Sequence, residues 1–266
     1  MCTVLLGYRC LSGEPLVVVA NRDEWFHRPT QRLHRWPEGL WAGRDLTAGG
    51  TWMGLSPEGR FAVLTNIRQQ EKEQSMPVSR GQLVVKVLKD SRPLGEIFGE
   101  LRDHKRQLAP FNLLALDPGE GFFFHSLEDR ERPLTPGWYG LSNANLHTPW
   151  PKVVGSLSRM SQDYAGCRSG RERLRLIQER VTNEETFLDE ELPPHLWPLT
   201  AFFVRLGSYG TRSSMWLRIL GHGGAILQEQ VYDSDGNVHS GTALSGVFPA
   251  WSMSRESLDG QSDFLG

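Results

Sequence analysis

The sequence predicts an α+β protein in which largely antiparallel sheets are covered by helices. Three observations lead there. Strand-like and helix-like runs come in blocks, without the strand–helix alternation of a parallel sheet. Strand-like runs are joined by tight-turn signals, as at Ser56-Pro57-Glu58-Gly59 and Asp117-Pro118-Gly119, which suit hairpins. The Gly-rich dinucleotide fingerprint of a doubly wound fold is missing. No internal repeat or linker divides the 266 residues. They are therefore expected to form a single domain, 1–266, with no element assigned to the tail at 240–266.

Thr3 to Arg9 reads as a strand, Ser12-Gly13-Glu14-Pro15 as a turn and Leu16 to Ala20 as a second strand. The unbroken Val17, Val18 and Val19 suggest a strand buried on both faces. Residues 22 to 50 read as a long ordered loop rich in Arg, Trp, Pro and Gly; loops of that length are usually functional or disordered, and the tryptophans argue against disorder. Gly49 to Leu55 enters a strand, and Arg60 to Thr65 returns, so Asn21 and Asn66 both sit at strand ends. Helical spacing covers Arg80 to Asp90 and Pro93 to Asp103. Phe111 to Leu116 and Gly121 to His125 pair as a hairpin, and a strand from Thr135 ends at Asn143. Trp150-Pro151-Lys152 opens a helix to about Tyr164, because proline suits a first turn. Arg171 to Arg180 is helical, with Glu184 to Glu190 a further candidate, and Leu192-Pro193-Pro194-His195 breaks the pattern. Phe202 to Arg205, Arg212 to Leu220 and Ala225 to Tyr232 complete the strands, and the stretch after Gly236 is Ser- and Gly-rich.

The bulk numbers exclude several classes. A net charge of −2 offers no broad basic surface, so no nucleic-acid partner is expected. No stretch approaches the roughly 20 apolar residues of a membrane span. Three cysteines without CxxC spacing argue for a reducing compartment, so a cytoplasmic location is the default. None of the eight histidines shows HExxH or HxH spacing, so no metal site is expected. No GxSxG or P-loop is present either.

Cys2 is the first candidate for chemistry. If Met1 is removed, one residue carries a thiol nucleophile and an α-amine able to serve as its base. A small apolar residue on an edge strand is the plain alternative. In an antiparallel hairpin the end of the second strand lies beside the start of the first, so Asp23 should approach Cys2 and hold the amine. Asn21-Arg22-Asp23-Glu24 reads equally as a solvated turn with a surface ion pair. Asn66 and Asn143 end strands, where an amide can donate to an oxyanion or simply make a turn. Arg212 can bind a carboxylate or order the site.

Taken together, the motifs resemble the NRDE family, the transport and Golgi organisation 2 homologs. They are Met1-Cys2, Ala20-Asn21-Arg22-Asp23-Glu24, Arg28-Pro29, Gly49-Gly50-Thr51-Trp52-Met53-Gly54, Leu64-Thr65-Asn66 and Phe111-Asn112-Leu113. Further on come Tyr139-Gly140-Leu141-Ser142-Asn143-Ala144, Thr148-Pro149-Trp150-Pro151-Lys152 and Tyr209-Gly210-Thr211-Arg212. The resemblance implies a four-layer αββα sandwich of two mainly antiparallel sheets, of the N-terminal-nucleophile hydrolase kind, related to bile-salt hydrolases and penicillin V acylases. It implies catalytic roles for Cys2, Asp23, Asn143 and Arg212, the last as a site-ordering arginine, with Asn21, Arg22, Glu24, Trp52 and Asn66 shaping the site or binding ligand. Those acylases carry an arginine just before the Asn-x-Asp; here Ala20 stands there and Arg22 sits inside the motif. Two functions follow as expectations: cleavage of a linear amide by an N-terminal cysteine, or binding and trafficking of haem or an acyl-CoA or other lipid without turnover. The small-molecule partner is thus an amide, haem or an acyl thioester; no cofactor is required, and haem enters only as a ligand. The sequence leaves the oligomeric state open.

Overall fold

The computed structural model describes residues 2–67, 79–104, 108–128, 130–186 and 193–252. Its first sheet runs, in spatial order, β10 (Gly137–Leu141), β1 (Thr3–Leu11), β2 (Glu14–Trp25), β12 (Tyr209–Ile219), β13 (Gly224–Tyr232) and β14 (Val238–Val247), with the short β11 (Arg205–Leu206) also on β12. The second is a meander of β3 (Thr30–Arg35), β4 (Trp41–Asp45), β5 (Met53–Leu55), β6 (Phe61–Asn66), β7 (Phe111–Leu116), β8 (Gly121–His125) and β9 (Arg130–Pro133). The pairings given for both sheets are antiparallel.

The strand pleat sorts the core into layers. Leu16, Val18 and Ala20 of β2 face the other sheet, packing with Met53, Phe61 and Leu114. Val17 and Val19 face the opposite way, onto Met160 and Tyr164 of α3 (Pro151–Gly166) and Ile177 of α4 (Gly170–Val181). The outer face of the second sheet is covered by α1 (Arg80–Lys89) and α2 (Leu94–His104), through Val84, Val87 and Phe98. Helices, sheet, sheet, helices: the protein is a four-layer αββα sandwich, as the resemblance implies. The triple-valine run is buried on both faces because its strand lies inside the stack.

Several local expectations need correction. Residues 22 to 50 are not one loop: β2 continues to Trp25, and β3 and β4 follow. Their short runs lie where Arg, Trp and Gly hide the alternation of a half-buried strand. Asn21 therefore lies within β2 and not at its end, and Arg22 and Asp23 are buried rather than in a solvated turn. The stretch after Gly236 forms β14, an edge strand that alternates exposed and half-buried residues. Phe202 and Phe203 are buried without being strand, and follow a 3-10 helix at Pro194–Thr200. β10 stops at Leu141, two residues before Asn143. The short β9 was not anticipated. Residues 184–186 are not helical, and the rest of that expected helix, like 253–266, lies outside the described residues.

One buried charge ties the α3–α4 layer to the first sheet. Glu14, 2% exposed, accepts hydrogen bonds from Tyr164 of α3 at 2.7 Å, from Arg218 of β12 and from Arg173 of α4. Burial pushes its carboxyl up, but the Arg218 and Tyr164 hydrogen bonds and the charges of Arg218 and Arg173 win and hold it below the ordinary glutamate range. A depressed carboxyl contributes stability above its unfolded pKa, about 4.3, that is lost as pH falls through the folded value. Glu14→Gln leaves two arginines without their counter-charge. It should cost about 3–5 kcal/mol in urea unfolding near neutral pH, with the difference from wild type narrowing in acid.

Candidate functional site

β2 is flanked by β1 and β12, and the register places the site. Thr3 pairs with Asn21, so Cys2, the next residue out, comes level with Arg22 and reaches the Asp23 backbone. On the other side Ser214 pairs with Asn21 and Thr211 with Asp23, with a bulge between Thr211 and Ser213. The pleat then splits the motif. Asn21 points into the helix side, its amide donating to the carbonyls of Val181 at 2.8 Å and Phe202 at 3.0 Å. Asp23 is on that same side and accepts from the Thr211 hydroxyl at 2.7 Å. Arg22 and Glu24 alternate to the face toward the second sheet. Arg22 thus shares a face with Ala20, one pleat nearer the open end of the strand.

That open end lines a cavity of about 960 Å³ between the two sheets, with Cys2, Asp23, Trp52, Asn66 and Asn143 in its wall. Burial pushes the Cys2 thiol up; the positive amino terminus and Arg22 pull it down, and the Asp23 charge pushes it up again. Burial also raises the Asp23 carboxyl, against the pull of the amino terminus, Lys152, the Thr211 hydroxyl and Arg22. Asn143 donates to the Asn66 carbonyl at 2.8 Å and accepts from the Ser142 hydroxyl at 3.2 Å. That serine also holds the Cys2 carbonyl at 2.8 Å. A primary amide has two N–H donors, so Asn143 keeps a second for a ligand oxygen.

The cavity is chemically two-sided. Arg22, Arg28, Arg44 and Arg80 line it together with Glu24, Asp45 and Glu229. Arg28 binds Asp45 at 2.7 Å, whereas Arg22 reaches Glu24 and Asp45 only at 3.7 and 3.8 Å. Burial raises the Glu229 carboxyl, against the Leu33 N–H and Ser213. Trp25, 48% exposed, Leu196, Leu199, Leu206 and Tyr209 supply an apolar wall. The Gly-Gly-Thr-Trp motif sits against the start of α1. A Cβ on Gly50 would lie 2.3 Å from the Gly81 carbonyl carbon, so only glycine fits this backbone approach.

Of the residues expected in the site, Asn21 points away from the cavity, and a second residue outside the described lining is Arg212. It sits at the bulge and is not among the cavity-lining residues described; its guanidinium donates to the carbonyls of Arg28 and Trp25. It orders the turn after β2. Sequence reading missed Thr211, Ser142 and Lys152 as site residues although all lie inside the quoted motifs; Asp45 and Glu229 carried no motif signal. No three His, Cys, Asp or Glu side chains group to hold a metal ion among the described residues. No helix among them is long and apolar enough to cross a membrane.

The family profile described as Transport and Golgi organisation 2 matches residues 1–234. The chain belongs to this family. It is 30% identical over 240 residues to the Transport and Golgi organization protein 2 homolog of Bos taurus, and 28% identical over 237 residues to that of Mus musculus. Each match covers 81% of this chain and 86% of the relative. Among solved structures, a mutant conjugated bile acid hydrolase from Clostridium perfringens has a TM-score of 0.45 at 11% identity, over 92% of both chains. The Caenorhabditis elegans ortholog of N-acylethanolamine-hydrolyzing acid amidase has a TM-score of 0.42 at 10% identity, over 81% of this chain and 92% of that one. In this family member Arg22, Asp23 and Glu24 of the naming motif line the cavity, and Asn21 is held under the helices.

Two substitutions test the scaffold of the site. Arg212→Ala should lose about 1.5–3 kcal/mol in urea unfolding, the worth of charged hydrogen bonds, and speed amide exchange around residues 25–28. Gly50→Ala should cost about 1–3 kcal/mol by overpacking, measured the same way, and speed amide exchange in the first turn of α1.

Proposed function

We propose that the cavity is a hydrolase-like site in which Cys2, freed of Met1, attacks the carbonyl carbon of a linear amide. The thiol proton passes to the Cys2 α-amine, directly or through water, and the thiolate adds to the carbonyl. The C–N bond breaks as the leaving amine takes that proton. Water then adds to the thioester carbonyl, giving up a proton to the α-amine, and the acid leaves as the Cys2 thiolate is reprotonated. Asp23 orients the amine, and Asn143, with its second N–H, steadies the oxyanion. The observation that carries this reading is the coincidence of Cys2 with a buried carboxyl and an asparagine amide at one cavity wall. The same reading places the protein in the cytoplasm, supported by Cys2, Cys10 and Cys167 all being unpaired.

A second reading has its own support. Arg22, held only by long ion pairs to Glu24 and Asp45, lies beside an apolar wall, which suits an anionic, largely apolar ligand such as haem or an acyl thioester, held without turnover.

Intact mass of the purified protein, before and after incubation with an electrophilic amide probe, separates the two. The hydrolase reading expects Met1 to be absent and one acyl group to appear on Cys2, lost in Cys2→Ser. Met1 retained with no adduct overturns it. The binding reading expects stoichiometric haem or acyl-CoA binding that survives Cys2→Ser and weakens about tenfold or more in Arg22→Ala, the loss of a charged contact. Iodoacetamide labelling adds a pH readout. Because burial raises the Cys2 thiol, its labelling rate should still be climbing at pH values where an ordinary cysteine, with a pKa of about 8.5, has levelled off.

A further inference from the structure

The Leu64-Thr65-Asn66 and Phe111-Asn112-Leu113 motifs lie on adjacent strands of the second sheet, and neither Thr65 nor Asn112 has a part in the chemistry above. β6 and β7 pair Val63 with Leu114 and, two residues on, Thr65 with Asn112. The period-two pleat puts both pairs on one face of the sheet. Val63 and Leu114 join the core between the sheets, so this face looks toward the first sheet. Thr65 and Asn112 are just as buried, at 1% and 0% exposure, yet polar.

What they meet is the turn that follows β10, where the chain leaves Leu141 and runs through Ser142, Asn143 and Ala144. The Asn112 amide donates to the Ala144 carbonyl at 2.6 Å and to the Thr65 hydroxyl at 3.1 Å. The Thr65 hydroxyl in turn donates to the Ser142 carbonyl at 2.5 Å. Two backbone carbonyls, one on each side of Asn143, are thus held from the opposite sheet. The same turn holds the Cys2 carbonyl through the Ser142 hydroxyl, and its Asn143 amide is tied to the Asn66 carbonyl. The amide oxygen of Asn112 is buried and has no hydrogen-bond partner among the described residues. This side chain therefore keeps its two donors in place at the cost of an unpaired acceptor. Both donors serve the turn, one directly and one through Thr65.

We propose that Asn112 and Thr65 are positioning residues: from the second sheet they fix the carbonyls on both sides of Asn143, so that its second amide N–H is held at the cavity wall that carries Cys2. The clamp stands on the hydrogen bonds themselves; its use in catalysis rests on the hydrolase reading. A donor to an oxyanion is most effective when it needs no reorientation at the moment of reaction. Because neither side chain is among the cavity-lining residues described, the clamp acts on rate and not on ligand affinity. Both roles depend on hydrogen-bonding groups more than on shape. Aspartate has the outline of asparagine without its N–H donors, and valine the outline of threonine without its hydroxyl.

The test compares Thr65→Val and Asn112→Asp with the conservative Thr65→Ser, each in the full chain. NMR relaxation gives the backbone order parameters of Asn143 and Ala144. These should fall from about 0.85, the value of rigid backbone, to below about 0.6 in Thr65→Val and Asn112→Asp, and stay high in Thr65→Ser. Unchanged order parameters in Thr65→Val overturn the proposal, and so does an equal fall in Thr65→Ser. Valine suits a strand, so Thr65→Val decides if Asn112→Asp does not fold. A second readout is acyl transfer from the electrophilic amide probe to Cys2. Its maximal rate should drop about tenfold or more in Thr65→Val, as a misplaced oxyanion donor implies, with the half-saturating probe concentration unchanged. A wild-type rate in Thr65→Val, or a loss carried by the half-saturating concentration alone, overturns the positioning role. The order parameters need no substrate, so they judge the clamp whether or not Cys2 accepts an acyl group. Failure of the hydrolase reading appears separately, in the wild-type protein, as Met1 retained with no adduct.

Discussion

The pairing of β2 with β1 on one edge and β12 on the other sets where every site residue goes. A strand buried on both faces has no solvent side on which to place polar groups. Asn21, Arg22, Asp23 and Glu24 must therefore alternate between two buried environments. The helix side receives Asn21 and Asp23, where backbone carbonyls and the Thr211 hydroxyl satisfy them. The cavity side receives Arg22 and Glu24, where the two sheets part. A one-residue slip in register would exchange these roles and leave a guanidinium under the helices. The bulge at Arg212 belongs to the same constraint, because it lets Thr211 meet Asp23 while Ser214 still meets Asn21.

This arrangement also explains how the site departs from a simple acylase pattern. The arginine expected before the asparagine is missing, but Arg22 stands on the same face as Ala20, one pleat further out. Its ion pairs with Glu24 and Asp45 are long, so the guanidinium is held loosely by its own neighbours. Arg212 clamps the carbonyls of Trp25 and Arg28. The cavity wall thus brings a thiol and a buried carboxyl together with several arginines. Both proposed readings draw on that: the thiol side suits an acyl carbonyl, and the arginine side suits an anionic end.

The fold class was legible because it depends on local signals. Blocks of apolar runs, hairpin turns and helix periodicity report the sheets and helices directly, and the triple valine reported a doubly buried strand. The approach of Asp23 to Cys2 was legible too, since a hairpin register follows from two adjacent strands. Elsewhere local signals failed. Between 26 and 50, arginine and tryptophan carry strands whose buried partners come from the opposite sheet, and no alternation marks them. β14 escaped notice because an exposed edge strand of Ser, Gly and Thr needs no apolar face.

By itself the sequence determined the layers, the first hairpin and the family, because each rests on residues near one another in the chain or on motifs in a fixed order. Tertiary structure alone decided which face each polar residue takes. It brought β12 beside β2, sequestered Asn21 under the helices, set Arg212 on the carbonyls of Arg28 and Trp25 and buried Lys152 in the first turn of α3. Those outcomes depend on contacts between residues more than a hundred positions apart, and on burial, which changes both the cost of a charge and the partner it must find.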